Sequence, residues 1–266
     1  MSKIHWGTNC MDCVEGLKLL KDESIDLTVT SPPYDNLRKY NGYSFDFEPV
    51  AKELYRVTKL GGVVVWVVGD ATVKGSETGT SFKQALYFKE IGFNLHDTMI
   101  YEKAQACFGS NLCYLQSFEY MFVFSKGKPK TYNLICDREN RFERWGKTKK
   151  VREKDGSFTI RETKPFNKYG RRYNIWKYVT GGQGNTATDS IAHRHPAIFP
   201  EQLARDHIIS WSNEGDIVLD PFSGSGTTHK MALLNNRKFI GFEISQEYID
   251  IETQRLKECG LWRYDY

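Results

Sequence analysis

The sequence predicts a doubly wound α/β fold, and three features carry that expectation. Strand-like and helix-like stretches alternate along most of the 266 residues. Val63-Val64-Val65-Trp66-Val67-Val68 is apolar on both faces, as the central strands of a parallel sheet are. Near the C-terminus, the run Asp216-Ile217-Val218-Leu219 leads into Asp220-Pro221-Phe222-Ser223-Gly224-Ser225-Gly226-Thr227-Thr228, and a helical pattern follows from His229 to Leu234. Strand, tight Gly-rich turn and helix is a geometry that lets backbone approach a nucleotide-like ligand closely.

The elements follow in order. Ile4-His5-Trp6 is a short strand candidate, and Asp12 to Leu20 carries Val14, Leu17 and Leu20 at helical spacing. Ile25 to Thr30 is β-branched and reads as a buried strand ending at Ser31. Phe47 to Val57 places Val50, Leu54 and Val57 on one helical face, and Gly61-Gly62 reads as a break before the Val63 strand. Ser81 to Ile91 is a further amphipathic helix ended by Gly92, and Leu95–Tyr101 and Glu119–Ser125 are two more strands. From Lys126 onward the chain is basic and aromatic without clear periodicity, and Gly181 to Asn185 reads as a flexible segment. Pro200 to Trp211 is helical. It leads into the Asp220 strand, its helix, the strand Phe239-Ile240-Gly241-Phe242-Glu243 and a last helix, Gln246 to Cys259.

Hydrophobic content of 40% suits one well-buried core plus a sizeable insertion. No run approaches the roughly 18 apolar residues of a membrane span, and residues 1–7 lack a signal-peptide pattern. Six Cys without secreted-type spacing point to a reduced, cytoplasmic protein. Cys10-Met11-Asp12-Cys13 lacks a second ligand pair for zinc, nor do Cys107 and Cys113 supply one; free, buried or semi-buried thiols and no metal are expected. His193 and His195 read as loop residues. Net charge is only +4, but residues 126–177 hold 17 Lys+Arg against 6 Asp+Glu, while the rest of the chain is acidic overall. Such a basic block is the footprint of a polyanion. The chain divides into 1–125, a basic insertion 126–190, and 191–266.

The Asp220–Thr228 motif together with Thr30-Ser31-Pro32-Pro33-Tyr34 resembles the DNA amino-methyltransferases, over residues 4–125 and about 193–259. Those enzymes transfer a methyl group from S-adenosylmethionine to an exocyclic base nitrogen. The motif order resembles the family's β group. It implies a Rossmann-like methyltransferase sheet, circularly permuted, with the basic segment as an inserted target-recognition region. By that resemblance Asp220, Pro221, Phe222, Ser223, Gly224 and Gly226 hold the methionine part of the cofactor, with Thr227 and Thr228 at the following helix N-terminus. Glu243 takes the ribose hydroxyls, Asp12 accepts from the adenine amine, and the segment His195 to Pro200, with Phe199 and Pro200, closes over the cofactor. The resemblance also implies double-stranded DNA as substrate, with a cognate restriction endonuclease and a homodimer as candidate partners.

The reaction expected at Ser31-Pro32-Pro33-Tyr34 is a direct displacement. The attacking amine has its lone pair delocalised into the ring and becomes positive as it reacts. Acceptors aimed at its N–H groups favour the nucleophilic form, and the Ser31 hydroxyl and Pro32 carbonyl suit that task. Pro32 and Pro33 have fixed φ and no N–H, so they hold a rigid turn, and Tyr34 offers a face for stacking a flipped base. A carbon-5 cytosine enzyme needs a Cys nucleophile, usually after Pro, and the chain has no Pro-Cys pair. Ser at the first motif position is commoner in the cytosine-N4 branch and Asp in adenine enzymes. Both accept from an amine, so adenine N6 stays open beside cytosine N4. An RNA methyltransferase on the same sheet and a non-catalytic DNA-binding relic are the more distant alternatives. For DNA contact the basic run offers Arg141, Arg144, Lys147, Lys149, Lys150, Arg152, Arg171 and Arg172, interleaved with Phe142, Trp145, Phe158 and Phe166.

Overall fold

The computed structural model describes residues 4–33, 46–103, 114–140, 148–162, 167–179, 186–198 and 200–261. Two compact units emerge, one of Met1–Asn133 with Asn174–Tyr266, the other Leu134–Tyr173.

The larger unit is built on β1 (Gly7–Cys10), α1 (Cys13–Leu19), β2 (Ile25–Thr30), α2 (Phe47–Val57), β3 (Thr58–Val68), the hairpin β4 (Thr72–Val73) and β5 (Ser76–Glu77), α3 (Thr80–Glu90), β6 (Asn94–Lys103) and β7 (Phe118–Ser125). The smaller unit holds β8 (Arg138–Glu139), β9 (Thr148–Arg152), β10 (Phe158–Glu162) and β11 (Tyr169–Gly170). The larger unit then resumes with β12 (Ile175–Tyr178), a 3-10 turn at Ser190–Arg194, α4 (Glu201–Trp211), β13 (Ile217–Asp220), α5 (Thr227–Leu234), β14 (Lys238–Glu243) and α6 (Gln246–Glu258).

Eight strands form one mixed sheet in the order β1-β14-β13-β2-β3-β7-β6-β12. The run from β1 through β3 is parallel, β7 is antiparallel to both its neighbours, and β12 lies parallel to β6 at the edge. Helices α1, α2 and α3 pack together on the sheet, as do α4, α5 and α6, with no substantial packing between the two sets. This is the two-faced cover that doubly wound sheets require. Val63 to Val68 is fully buried, as its two-faced apolar pattern demands. The main core joins Leu17, Val50, Leu54, Trp66, Phe88, Phe122, Phe124 and Phe242.

Several readings are corrected. The first strand is Gly7–Cys10, not Ile4–Trp6, because it is the more polar segment that registers with Ile240–Glu243. The side chain of Asn9 keeps that strand satisfied, donating to the carbonyls of His5 and Gly241. Gly61-Gly62 does not precede β3 but lies inside it, where a register shift against β2 absorbs Gly61 at φ +85°. The stretch read as lacking periodicity contains β8 to β12. Cys10, Cys136 and Cys259 are exposed rather than buried, while the Cys13 thiol is buried and pushed up to about 12 by that burial. The second compact unit, Leu134–Tyr173, falls within the 126–190 insertion read from the sequence; Lys126 and Lys130 bond the backbone of Gly62 and Gly61, and β12 joins the main sheet. Cys107, Cys113 and residues 181–185 lie outside the described residues.

Candidate active site

The strand order reverses between β13 and β2. From β13 the chain proceeds to β14 on one side; from β2 it proceeds to β3 on the other. In an open α/β sheet, ligands bind outside the carboxyl ends of the strands at such a switch point. The two residues that end these strands are Thr30 and Asp220, the last positions before the two motifs read from the sequence.

They touch. The Thr30 hydroxyl donates to the Asp220 carboxylate at 2.7 Å, across a sequence separation of 190 residues, and both side chains are buried. The amide of Phe222 donates to the same oxygen at 3.0 Å. Burial nevertheless dominates, raising the Asp220 carboxyl to about 6 against the hydrogen bonds that favour its charge. Beyond Thr30, Ser31 and Pro33 are half-buried and Pro32 is buried. Tyr34 lies outside the described residues.

The Gly-rich turn is braced from within. Ser223 donates its amide to Phe242, Gly224 to the Glu243 carboxylate at 2.9 Å, and Gly226 to Ser223. Gly226 sits at φ +76°, and a Cβ there would fall 2.3 Å from the Glu252 side chain, so both conformation and space require glycine. Thr227 and Thr228 are buried at the start of α5 with hydroxyls engaged inside the protein. Thr228 donates to the Val29 carbonyl at 3.2 Å, and Thr227 accepts from Arg255 at 3.2 Å. Pro221 is buried, and half-buried Phe222 lies edge-on to Trp66.

Glu243 ends β14 beside Cys10 of β1, and the Met11 amide donates to its carbonyl. One carboxylate oxygen accepts from Gly224 and the other from Ser245. A carboxylate has about four acceptor positions, so capacity remains for a further donor such as a ribose hydroxyl. Burial raises its pKa above the usual carboxylate range. Asp12 caps α1 through one oxygen, accepting from Val14 and Glu15, and is exposed just beyond the end of β1. His195, read as a loop residue, follows the 3-10 turn and is buried; a Cβ on Gly224 would lie 3.0 Å from its ring. Pro200 caps α4 and is buried, and Phe199 lies outside the described residues.

A second layer carries no sequence motif. Arg255 on α6 donates to the Ser225 carbonyl at 2.6 Å and to Asp189 and Glu201. Lys230 on α5 joins the same two carboxylates. Burial opposes charge at Asp189, yet Lys230 and Arg255 hold it below the usual range. Glu252 accepts from Thr8 and pairs with His229 behind the turn. Apart from Asp189, which caps the 3-10 turn, these charges sit on ordinary helical patterns, and only the tertiary fold brings them under the loop.

In the smaller unit, Lys149, Lys150 and Arg152 lie exposed on β9. Arg172 is committed to Asp137, which that pairing holds below the usual range. Arg171 is exposed, and its carbonyl accepts from Arg138. Arg141, Arg144 and Lys147 lie outside the described residues. Among the described residues no His, Cys, Asp or Glu cluster could hold a metal, and no helix is long and apolar enough to cross a membrane.

A DNA methylase family model for N6 and N4 enzymes matches residues 25–254. The chain is 65% identical over 240 residues to the orphan methyltransferase M.BamHII of Bacillus amyloliquefaciens, covering 89% of this chain and 90% of that protein. The cytosine-N4-specific PvuII DNA methyltransferase superposes with a TM-score of 0.65 at 21% identity, over 94% of this chain and 85% of its own. TTHA0409 of Thermus thermophilus, solved in complex with S-adenosylmethionine, gives 0.59 at 23% identity over 93% and 91%. These two structural likenesses speak for the fold alone. Family model and close relative together establish that the chain belongs to the DNA methylase family, as an S-adenosylmethionine-dependent methyltransferase of exocyclic amino groups, of the cytosine-N4 or adenine-N6 kind.

Proposed function

We propose that this enzyme methylates the N4 amine of a cytosine flipped out of double-stranded DNA. The observation that carries the reading is the Thr30–Asp220 contact, which joins the Ser31 turn to the Gly-rich turn at the sheet's switch point. Ser, rather than Asp, at position 31 favours cytosine; adenine N6 is the second reading, with the same machinery.

The residues fit the cofactor chemically. Glu243 offers a carboxylate to a ribose diol, buried Asp220 ties the Ser31 turn to the Gly-rich turn, and glycine at 224 and 226 lets that turn pack against His195 and Glu252. Asp12, with one oxygen used in capping, has its other for the adenine amine. When bound, S-adenosylmethionine supplies an electrophilic methyl group. The protein's part is to present the amine. The Ser31 hydroxyl and Pro32 carbonyl accept from its two N–H groups, draw it toward a tetrahedral nucleophile, and stabilise the charge it gains. Pro32 and Pro33 keep that turn rigid. Tyr34 stacks on the flipped base. The permuted reading of the sheet is supported by β1, first in the chain, lying beyond β14, last in the chain. Residues 134–173 would serve as the target-recognition region, a role their basic charge and separate packing support.

Paired variants test the assignment. Ser31→Ala should retain cofactor affinity and lose about 10²–10³ in kcat, since it removes an acceptor needed in the transition state. Glu243→Ala should weaken cofactor binding by about tenfold or more, through loss of a charged hydrogen-bond acceptor. Calorimetry and tritiated-methyl transfer to duplex DNA read the two effects. Full turnover in the first variant, or wild-type affinity in the second, removes that residue from its role.

A further inference from the structure

Strands β9 and β10 form an antiparallel ribbon whose two faces differ. Register places Arg152 opposite Phe158, Lys150 opposite Ile160 and Thr148 opposite Glu162, so these six side chains share one face. The other face carries Lys149 opposite Arg161 and Val151 opposite Thr159. That second face is partly knitted to itself, with Lys149 exposed upon it. Glu153 accepts from Thr159 and from Arg161 at 2.6 Å, and Val151 and Glu153 are half-buried. Every residue of the first face is exposed, with Phe158 at 57% and Ile160 at 76%. Lys150 lies 4.5 Å from the centre of the Phe158 ring, and neither Lys150 nor Arg152 has an ion-pair partner among the described residues.

The hairpin end is closed by its own hydrogen bonds. Glu153 and Ser157 close it through backbone, Gly156 takes φ +87°, and Asp155 accepts from both the amide and the hydroxyl of Ser157. Large apolar side chains on an exposed strand face carry an aggregation cost, so their retention between unpaired cations asks for a partner. The cations select an anionic one. Five residues of strand span about 17 Å, and a two-stranded ribbon fits the DNA major groove, about 12 Å wide.

Resting on the reading of duplex DNA as substrate, we propose that the Lys150/Arg152/Phe158/Ile160 face of this ribbon enters the major groove and reads the target. Lys150 and Arg152 reach phosphate oxygens and base-edge acceptors. Ile160 and Phe158 meet thymine methyls and other apolar base edges. Lys149 and Arg161 lie on the opposite face, so Lys149, offered by the basic run as a DNA contact, is not one in this arrangement.

The test measures binding of the full-length enzyme to a mixed-sequence 30-base-pair duplex across a salt series, with cofactor affinity as the control for folding. Lys150→Gln with Arg152→Gln should weaken binding about tenfold and flatten the slope of log K against log salt by about 1.8, the share of two phosphate contacts. Lys149→Gln should leave the slope nearly unchanged. Phe158→Ser with Ile160→Ser should raise KM for DNA about tenfold at unchanged kcat, as lost base-edge contacts would. An unchanged slope in the double charge variant, or an equal loss from Lys149→Gln, overturns the proposal. So does a single-stranded RNA of equal length depending on these residues where the duplex does not, or loss of self-association with intact DNA binding in the apolar pair. The reaction itself is read separately: a wild-type enzyme that binds duplex through this face but transfers no methyl group to it sinks the functional reading and leaves the ribbon assignment standing.

Discussion

Asp220 is the residue that joins the two motifs. It is buried at a strand end, holds Thr30 and the start of the Gly-rich turn, and keeps a carboxyl raised to about 6. The raised value has a stability consequence of definite sign. Its folded pKa exceeds the value of 3.8 for an unperturbed Asp, so its stabilising share is complete below that pH and is lost as pH rises to about 6. The loss is of order 3 kcal/mol, from about 1.4 kcal/mol per unit. Asp220→Asn removes the titration. Against wild type, its relative stability should therefore improve by about that amount between roughly pH 4 and pH 7. Urea unfolding of both proteins at the two pH values checks this, and parallel pH dependences would contradict it. The motifs put Asp220 and Ser31 forward as candidates from sequence, but not the Thr30 hydroxyl that bonds Asp220. A threonine closing a β-branched strand looks like any other until its partner strand is known.

At the scale of elements, the Gly-rich turn depends on helices behind it as much as on its own glycines. Arg255 is almost fully buried and joins α6 to the Ser225 carbonyl, Asp189 and Glu201. Removing one member of a buried charge network strands its partners, at about 3–5 kcal/mol. Arg255→Met should destabilise the protein by about that amount. It should also weaken S-adenosylmethionine binding more than it slows turnover at saturating cofactor. Thermal unfolding and a kcat-against-KM split check both; a stable variant with normal cofactor KM would show that the turn holds itself. The long elements were legible because period and burial agree in them: α2 spans Phe47–Val57 as its apolar spacing predicts. The Gly7–Cys10 strand and the β9–β10 ribbon were not. The first draws its strand character from pairing with β14, and the second exposes one whole face, so neither shows a core-facing alternation.

At the scale of the molecule, the site is assembled from the two ends of the chain. β13 and β14 come last in sequence, yet β13 lies beside β2, and β14 between β13 and β1. That arrangement brings Ser31, Asp12, Asp220 and Glu243 to the carboxyl ends of neighbouring strands. Two of these positions were approachable from sequence, since the Ser31 and Asp220 motifs each follow a run read as a strand, whereas the strand before Asp12 was placed at Ile4–Trp6 and proves to be Gly7–Cys10. The proposed recognition surface was visible in the sequence only as charge. Composition marks residues 126–177 as basic, but which face is free to meet DNA depends on cross-strand register, and Arg172 proves to be held by Asp137. The central claim is methyl transfer to cytosine N4 in duplex DNA. It is tested most directly by nucleoside mass spectrometry of DNA digested after incubation with the enzyme and S-adenosylmethionine. A new N4-methylcytosine signal, lost with Ser31→Ala, is the predicted result; N6-methyladenine in its place, or no methylated base on several unmodified DNAs, would contradict it.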